Sequence, residues 1–539
     1  MSARSRLVSA AVGAVLVGAF IGTPAHAAVP AAPSMPQVGN GWATSARSVV
    51  MSRLATGPRA AGRRAAPAPL GLDGRPAGRK LPQRAAQGHR VATGPTAGTH
   101  AGVVPDAPSS LSTSFDASRE SNSGLIPSDS NAAVGFSDIV EVVNTQVSVF
   151  DKTGDVLCGA FSLAAFTGDF TESLFDPRVM FDNLNNRFIA TISLAPLSTT
   201  STPAMYVAAS QSGDPCGGWF VFRVSFSGTG FEPGVLLDYP RLGQDRGAML
   251  VGTNNFQGLT FVGGQAFSIP KSGLYSGAGF SFAAFPVDIS TEPVTVGGTP
   301  MQATSTTFWV SSVSGVGYHV YSMPSGGGTI SLAATISAPF NPPSRRANQP
   351  GTNVTLDPLD GRIQWAPEQI DNVIWFAHGV DDSGFPTVRY GAIDTSTNTV
   401  TTAEAFHAGD SDDIDPSISA ADVGGGLYAV WINWAYTETS VGVAASDTVD
   451  GGIVAPGGLP TLTGTDLTLV SGSSTNEVDP NQCGTCARFG DYSSVSVDAV
   501  PDTANCPAGA VTATAVTDQQ YFDPNGQWIS RIARSNVCG

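Results

Sequence analysis

Three short motifs hold most of the chemistry this sequence can do. Asp176-Pro-Arg178 and Asp238-Tyr-Pro-Arg241 each place a carboxylate two or three residues before a guanidinium. Arg488-Phe-Gly-Asp491-Tyr492 repeats the pairing in reverse order and adds a phenol. Paired carboxylates serve as general acid and base, and a guanidinium neutralises an anionic group such as a uronate. The competing reading is that each Asp caps the turn before its strand. Asp410, Asp412, Asp413 and Asp415 form a denser acidic turn. Alternating carboxylates on a loop suit Ca²⁺, but the loop lacks a central Gly and a closing Glu, so a solvated turn competes. No other cofactor is implied. A serine nucleophile elbow, a zinc-protease helix, a phosphate-binding loop and a dinucleotide fingerprint are all missing from the sequence.

These residues need elements to position them. Between Asn131 and Ser494 an apolar alternating strand pattern returns seven times, each time after a polar or proline-containing turn. Val134, Val179, Leu242, Gln302, Val354, Ile418 and Ser494 are the matched positions, 45 to 76 residues apart. A four-stranded blade takes about 40–45 residues, so each step holds one blade plus its loops. The fold class is therefore all-β, a single seven-bladed β-propeller over residues 106–539. Runs such as FIATISL and LYAVWINWAY are β-branched and aromatic, without a helical period. In a propeller the residues just before each first strand ring one channel mouth. The proposed ring includes Asp129, Asn131, Asp176, Arg178, Asp238, Arg241, Gln302, Gln349, Asp415, Arg488, Asp491 and Tyr492. Trp309, Trp365, Trp375, Trp431 and Trp434 sit in expected strands, where packing between blades is their default role.

The first 105 residues are of another kind. Residues 1–27 read as a signal peptide: Arg4 and Arg6, an apolar run from Leu7 to Ile21, then Ala25-His26-Ala27. Fifteen apolar residues are too few to span a bilayer, which needs ~20. Residues 28–105 are rich in Ala, Pro, Gly and Arg, with ten basic side chains against Asp73 alone. That composition predicts a disordered leader or a removable pro-segment, with Arg63-Arg64 and Arg79-Lys80 as protease sites. The remaining chain holds 15 basic and 42 acidic residues. Such a body repels phosphate, which argues against nucleic acid as a partner. No further stretch is long enough to span a membrane, and a monomer is expected.

The six cysteines all follow residue 105: Cys158, Cys216, Cys483, Cys486, Cys506 and Cys538. An even count in an exported chain predicts disulfides. Cys158 and Cys216 lie in consecutive units and are expected to pair. The last four allow three connectivities, of which Cys483–Cys486 and Cys506–Cys538 are favoured. Half a zinc site at Cys483-Gly-Thr-Cys486 is the weaker alternative, since no second CxxC or His pair accompanies it.

Taken together, NAAVGFSDIVEVVNTQVSVFDKTG, DPRVMFDNLNNRFIATIS, VAASQSGDPCGGWFVFRVSF, DYPRLG with TNNF, and RFGDYSSVSVD resemble a group of secreted bacterial propeller proteins. Members carry a terminal R-[WF]-G-D-Y-[ST] signature. The resemblance covers about Asn131 to Ala533 and implies a propeller and a secreted, extracellular location. It brings no established reaction. Two functions are then open. The first is an extracellular binding protein for glycans or cell-surface proteins at the channel mouth. The second is a glycan-active hydrolase or polysaccharide lyase.

Overall fold

The computed structural model describes residues 37–54, 110–462, 466–476 and 486–539. The signal-peptide reading, the two dibasic sites and Cys483 lie outside these residues. The chain is all-β, with three short α-helical turns among the strands. Among the described residues, no helix is long and apolar enough to cross a membrane.

Along the described residues seven four-stranded antiparallel sheets follow one another; four stand alone, and the second, third and fifth are joined through Gly39–Ala43 and Thr295–Val296 into one continuous sheet. The first runs Asn131–Val134, Asp138–Val143, Gln146–Asp151, Val156–Ser162. The second opens with Leu174–Asp182 and ends with Gly218–Gly228. The third opens with Val235–Gln244 and ends with Phe280–Val287. The fourth opens with Glu292–Pro293, the fifth with Glu368–Ile370, the sixth with Asp412–Gly424 and the seventh with Ser494–Asp498. The outer strand of the seventh is Ser110–Arg119, which pairs with Trp528–Cys538. Opening strands of neighbouring sheets pack together from the first to the fourth and from the fifth to the seventh, and that of the seventh lies against that of the first. Thr295–Val296 couples the third and fifth sheets by parallel pairing with Gln244 on one side and Glu368 and Gln369 on the other.

The alternating sequence explains why the sheets stack. Each buries both faces, so neighbouring sheets share apolar layers, such as the one joining Val140 and Val149 of the first to Val179 and Ala190 of the second. The five tryptophans pack as expected, none more than 4% exposed.

Two expectations need correction. The fourth and fifth opening strands were placed at Gln302 and Val354. They lie instead near Glu292 and Glu368, because Gln302 belongs to a loop after Thr295–Val296 and Val354 precedes a short parallel bridge of Thr355–Leu356 with Cys486–Ala487. The leader is also not wholly unstructured. Gly39–Ala43 is a strand hydrogen-bonded on both edges, to Gly218–Gly228 and to Phe280–Val287, and it joins the second and third sheets. Arg47–Val50 pairs with Gly218 to Val221. Local composition misleads here because the stabilising edges come from residues far along the chain.

Cys158–Cys216 ties the first sheet to the second with Cα atoms 6.0 Å apart. Cys506–Cys538 closes within the seventh at 5.6 Å. Cys486 is also disulfide-bonded. No described cysteine is free.

Candidate functional site

A repeated backbone feature builds the site. One non-glycine residue before or within each opening strand takes a left-handed conformation: Asp129 (φ 51), Asp176 (47), Tyr239 (53), Ser290 (54), Leu359 (58), Asp415 (59) and Asp491 (67). In the second, third and sixth sheets a proline follows, and the register slips there, between Phe175 and Arg178, Asp238 and Arg241, and Ile414 and Ser417. A bulge of this kind bends the strand and re-aims the next side chain. By this register Arg178 matches Arg241, but Asp176 matches Tyr239 rather than Asp238.

The re-aimed side chains meet. Glu292 lies 3.8 Å from the Arg178 guanidinium and 3.9 Å from that of Arg241. Arg178 stacks on the Tyr492 ring at 3.7 Å, and Nη2 donates to the Gln364 carbonyl at 2.8 Å. The Tyr239 ring has three guanidiniums around it, Arg241 at 5.1 Å, Arg362 at 5.3 Å and Arg178 at 5.5 Å. Such separations give cation–π attraction. Arg241 donates through Nε to the Thr291 carbonyl at 2.8 Å and through Nη1 to Asn254 at 3.1 Å. Arg362 is held by Asp360 at 2.6 Å.

This cluster is closed to solvent. Arg178 is 1% exposed and Arg241 0%. Neither is exposed at the surface, where the sequence reading placed it; both side chains lie inside the cluster, beyond the bulges. Burial pushes the Glu292 carboxyl up to about 7 against the pull of the three arginines. Burial lowers the Arg241 guanidinium to about 10. Burial would lower Arg178 too, but Glu292 and the two tyrosines hold it above its ordinary value. Several polar atoms here have no hydrogen-bond partner: both Glu292 oxygens, Arg178 Nε, Arg241 Nη2 and the Tyr239 hydroxyl. Buried polar groups are rarely left so.

Around this core lie the half-buried Asp176, Asp238 and Arg488 and the buried Asp129, Asp415 and Asp491. Asp129 and Asp176 share a hydrogen bond, and burial together with the Asp176 charge holds the Asp129 carboxyl well above the carboxylate range. Burial and then the same Asp176 charge raise Asp238, against Arg488 and Arg362. Asp176 Oδ2 accepts from the Tyr239 N–H at 3.2 Å, and the Asp176 N–H donates to Asn144 at 2.9 Å. Arg488 forms an ion pair with Asp491. A Cβ at Gly490 would stand 1.9 Å from Asp415 Oδ2, so the Arg488–Tyr492 loop needs glycine there for close approach, in addition to its positive φ. Asp415 accepts from Gln364 Nε2 at 2.6 Å, and burial raises it to about 7.

The structure therefore brings together Asp129, Asp176, Asp238, Arg178, Arg241, Asp415, Arg488, Asp491 and Tyr492. The acidic turn is not gathered into a cation site. Asp412 is paired with Arg345, Asp413 accepts from Trp434 at 3.0 Å and from the His407 N–H at 2.9 Å, and Asp410 faces Glu438. Only Asp415 turns to the channel. Among the described residues no group of three or more His, Cys, Asp or Glu is placed to hold a metal. Gln302 bonds the Asp371 N–H, and Gln349 bonds the backbone at Val354 and Asn476.

Sequence reasoning missed Glu292, Tyr239 and Arg362. Tyr239 lay inside a singled-out motif, and its match with Asp176 was the available signal. Glu292 follows Ser290-Thr291, which carries neither Asp nor Pro. Also missed was a pocket of about 650 Å³, open mouth included, at the far ends of the opening strands. Six of the seven sheets reach it, through Val134, Met180, Gln244, Glu368, Ser419 and Val495 among others, and the segment around Thr295–Val296 completes the lining. Glu368 accepts from the Ser419 hydroxyl at 3.0 Å, and burial raises it to about 8. Trp365 forms part of its floor and lies 5.7 Å from Arg178 on the other side.

No family model and no curated protein matches the sequence. Among solved structures the chain is similar to an exo-β-1,3-galactanase from Phanerochaete chrysosporium, at 10% identity over 76% of this chain and 96% of that one, with a TM-score of 0.29. It is similar to an exo-β-1,3-galactanase from Clostridium thermocellum, at 10% identity over 78% and 98%, TM-score 0.28. An α-L-arabinanase from Penicillium chrysogenum gives 8% over 67% and 92%, TM-score 0.26.

Proposed function

We propose that the seven sheets are blades of one closed seven-bladed propeller, exported from the cell, and that the rim of its channel hydrolyses a glycan. The ring of contacts among opening strands supports the first part. The second rests on one observation, the grouping of Asp129, Asp176 and Asp238, in which burial and the Asp176 charge raise the Asp129 and Asp238 carboxyls. Carboxyls whose titrations are pushed apart divide into a proton donor and a proton acceptor at one pH. Asp238 is the donor: it protonates the leaving oxygen as the glycosidic bond breaks. Asp176, hydrogen-bonded to Asp129, takes the proton of the water that adds to the sugar carbon. Arg488, partly exposed, orients the substrate.

Lyase chemistry has less support, since Arg178 and Arg241 are sealed from any uronate. The same sealing favours a second reading, a glycan-binding protein without turnover, because much of the cluster is then framework. A reducing-sugar assay over a glycan panel, run beside a glycan array, separates the two. Hydrolysis predicts new reducing ends, reduced roughly 10²–10⁴-fold in Asp238→Asn. Array binding with no reducing ends anywhere on the panel selects the binding reading. An Asp238→Asn protein with full activity removes Asp238 from the role.

A further inference from the structure

The strand Gly39–Ala43 fills the space between the outer strands of two different sheets. It is antiparallel to both, with Asn40 opposite Ser227 on one side and Ala283 on the other. Flanking backbone bonds extend the fit: the Val38 N–H donates to Ala284 at 3.0 Å, Thr229 donates to Val38 at 2.7 Å, and Ala46 donates to Gly277 at 3.1 Å. Past the Arg47–Val50 pairing, Met51 and Ser52 donate to Gly217 and Cys216 at 3.0 and 2.9 Å. Met51 is 0% exposed.

Side-chain space makes the fit selective. A Cβ at Gly39 would come within 2.6 Å of the Phe231 ring, and one at Gly41 within 2.2 Å of the Phe282 ring. Ala43 is small and packs into the apolar layer with Phe280 and Phe282. The gap thus reads a Gly-x-Gly-x-Ala strand. Main-chain bonds give affinity in such strand addition, and alternate side-chain positions give specificity.

After Leu54 the described chain resumes at Ser110, as the outer strand of the seventh sheet. The intervening sequence holds eight basic residues and two acids. We propose that the gap between the outer strands of the second and third sheets is a binding site for an extended peptide, that residues 38–52 are its resident ligand, and that they stay bound as a separate strand after an extracellular protease of trypsin-like preference cuts the chain between residues 55 and 109. The cut adds water across one peptide bond, leaving an arginine or lysine carboxylate and a new amine. It breaks no bond within 38–52 or within the sheets. The leader is then not discarded: its docked part becomes the small chain of a two-chain protein.

The test uses the full chain carrying a site for a sequence-specific protease between residues 91 and 97. After cutting, the N-terminal fragment is expected to co-elute with the body on gel filtration. A labelled synthetic peptide of residues 37–54 is expected to exchange into the cut protein. Its Gly41→Val form should compete at least roughly tenfold less well, since overpacking a buried contact costs that much affinity. Separation of the fragment from a still-folded body at micromolar concentration overturns the proposal. Equal competition by the two peptides overturns the assignment of the gap as a selective site.

Discussion

Replacing Glu292 by Gln isolates the titration of the buried cluster. The carboxyl sits at about 7 in the fold and at 4.5 in a free side chain. Between those values the folded chain keeps a proton that the unfolded chain has released, so stability falls as pH rises. It is fully present below about 4.5 and levels off above about 7. A difference of about 2.5 in pKa, at 1.36 kcal/mol for each unit, corresponds to roughly 3 kcal/mol. Glutamine carries no such proton. The stability of the native protein relative to Glu292→Gln should therefore fall by roughly 3 kcal/mol between about pH 5 and pH 8. Urea unfolding of both proteins at several pH values measures it. Asp415 and Glu368, raised to about 7 and about 8 by burial, titrate in both proteins, so their contribution cancels in the comparison. Parallel stability profiles across this range would refute the reasoning. They would mean that Arg178 and Arg241 hold Glu292 ionised throughout, with Coulomb attraction outweighing burial.

Other outcomes follow from the same geometry. Arg178→Ala and Arg241→Ala should each destabilise the fold by about 3–5 kcal/mol, since each leaves Glu292 short of a counter-charge in a sealed site; an unchanged melting temperature in either variant contradicts the burial argument. Gly490→Ala should lose stability through both its positive φ and its collision with Asp415, whereas Gly384→Ala, whose Cβ meets nothing within 4 Å, should show only the backbone cost; equal losses in thermal melts would deny the close approach. A chain starting at residue 55 should melt lower than the full chain, because it strips the strand from the second and third sheets; coincident melts would return the docked segment to the status of a dispensable leader.

The sheets were legible because period-two alternation and Pro- or Asp-bearing turns are local signals. Asp176-Pro-Arg178 and Asp238-Tyr-Pro-Arg241 stood out because the same bulge uses the same residues in two sheets. The fourth and fifth sheets use the backbone feature with other residues. Ser290-Thr291-Glu292 has no proline, and after Leu359 the fifth opening strand is broken, with Ile363 bridging to His378 before Glu368–Ile370 begins. A left-handed φ at Ser or Leu leaves no mark in composition, so Glu292 and Arg362 stayed hidden. Burial was hidden too: an Arg next to an Asp reads as a surface pair until the neighbours on all sides are known. The docked strand at Gly39–Ala43 gave no local signal, since its two glycines matter only against Phe231 and Phe282.

The seventh sheet takes its outer strand from Ser110–Arg119 and its other three from residues 494–538. The Ser118 N–H bonds Ser530, 412 positions away. Contacts that distant form late, because loop closure must precede any reward from pairing. A growing chain thus holds its earliest outer strand without a partner until nearly all of the sequence is available. The seventh sheet is therefore completed only when both ends of the described chain are present. A product truncated before Trp528 lacks the strand that pairs with both Ser110–Arg119 and Thr512–Phe522, leaves those two edges open, and is exposed to proteases.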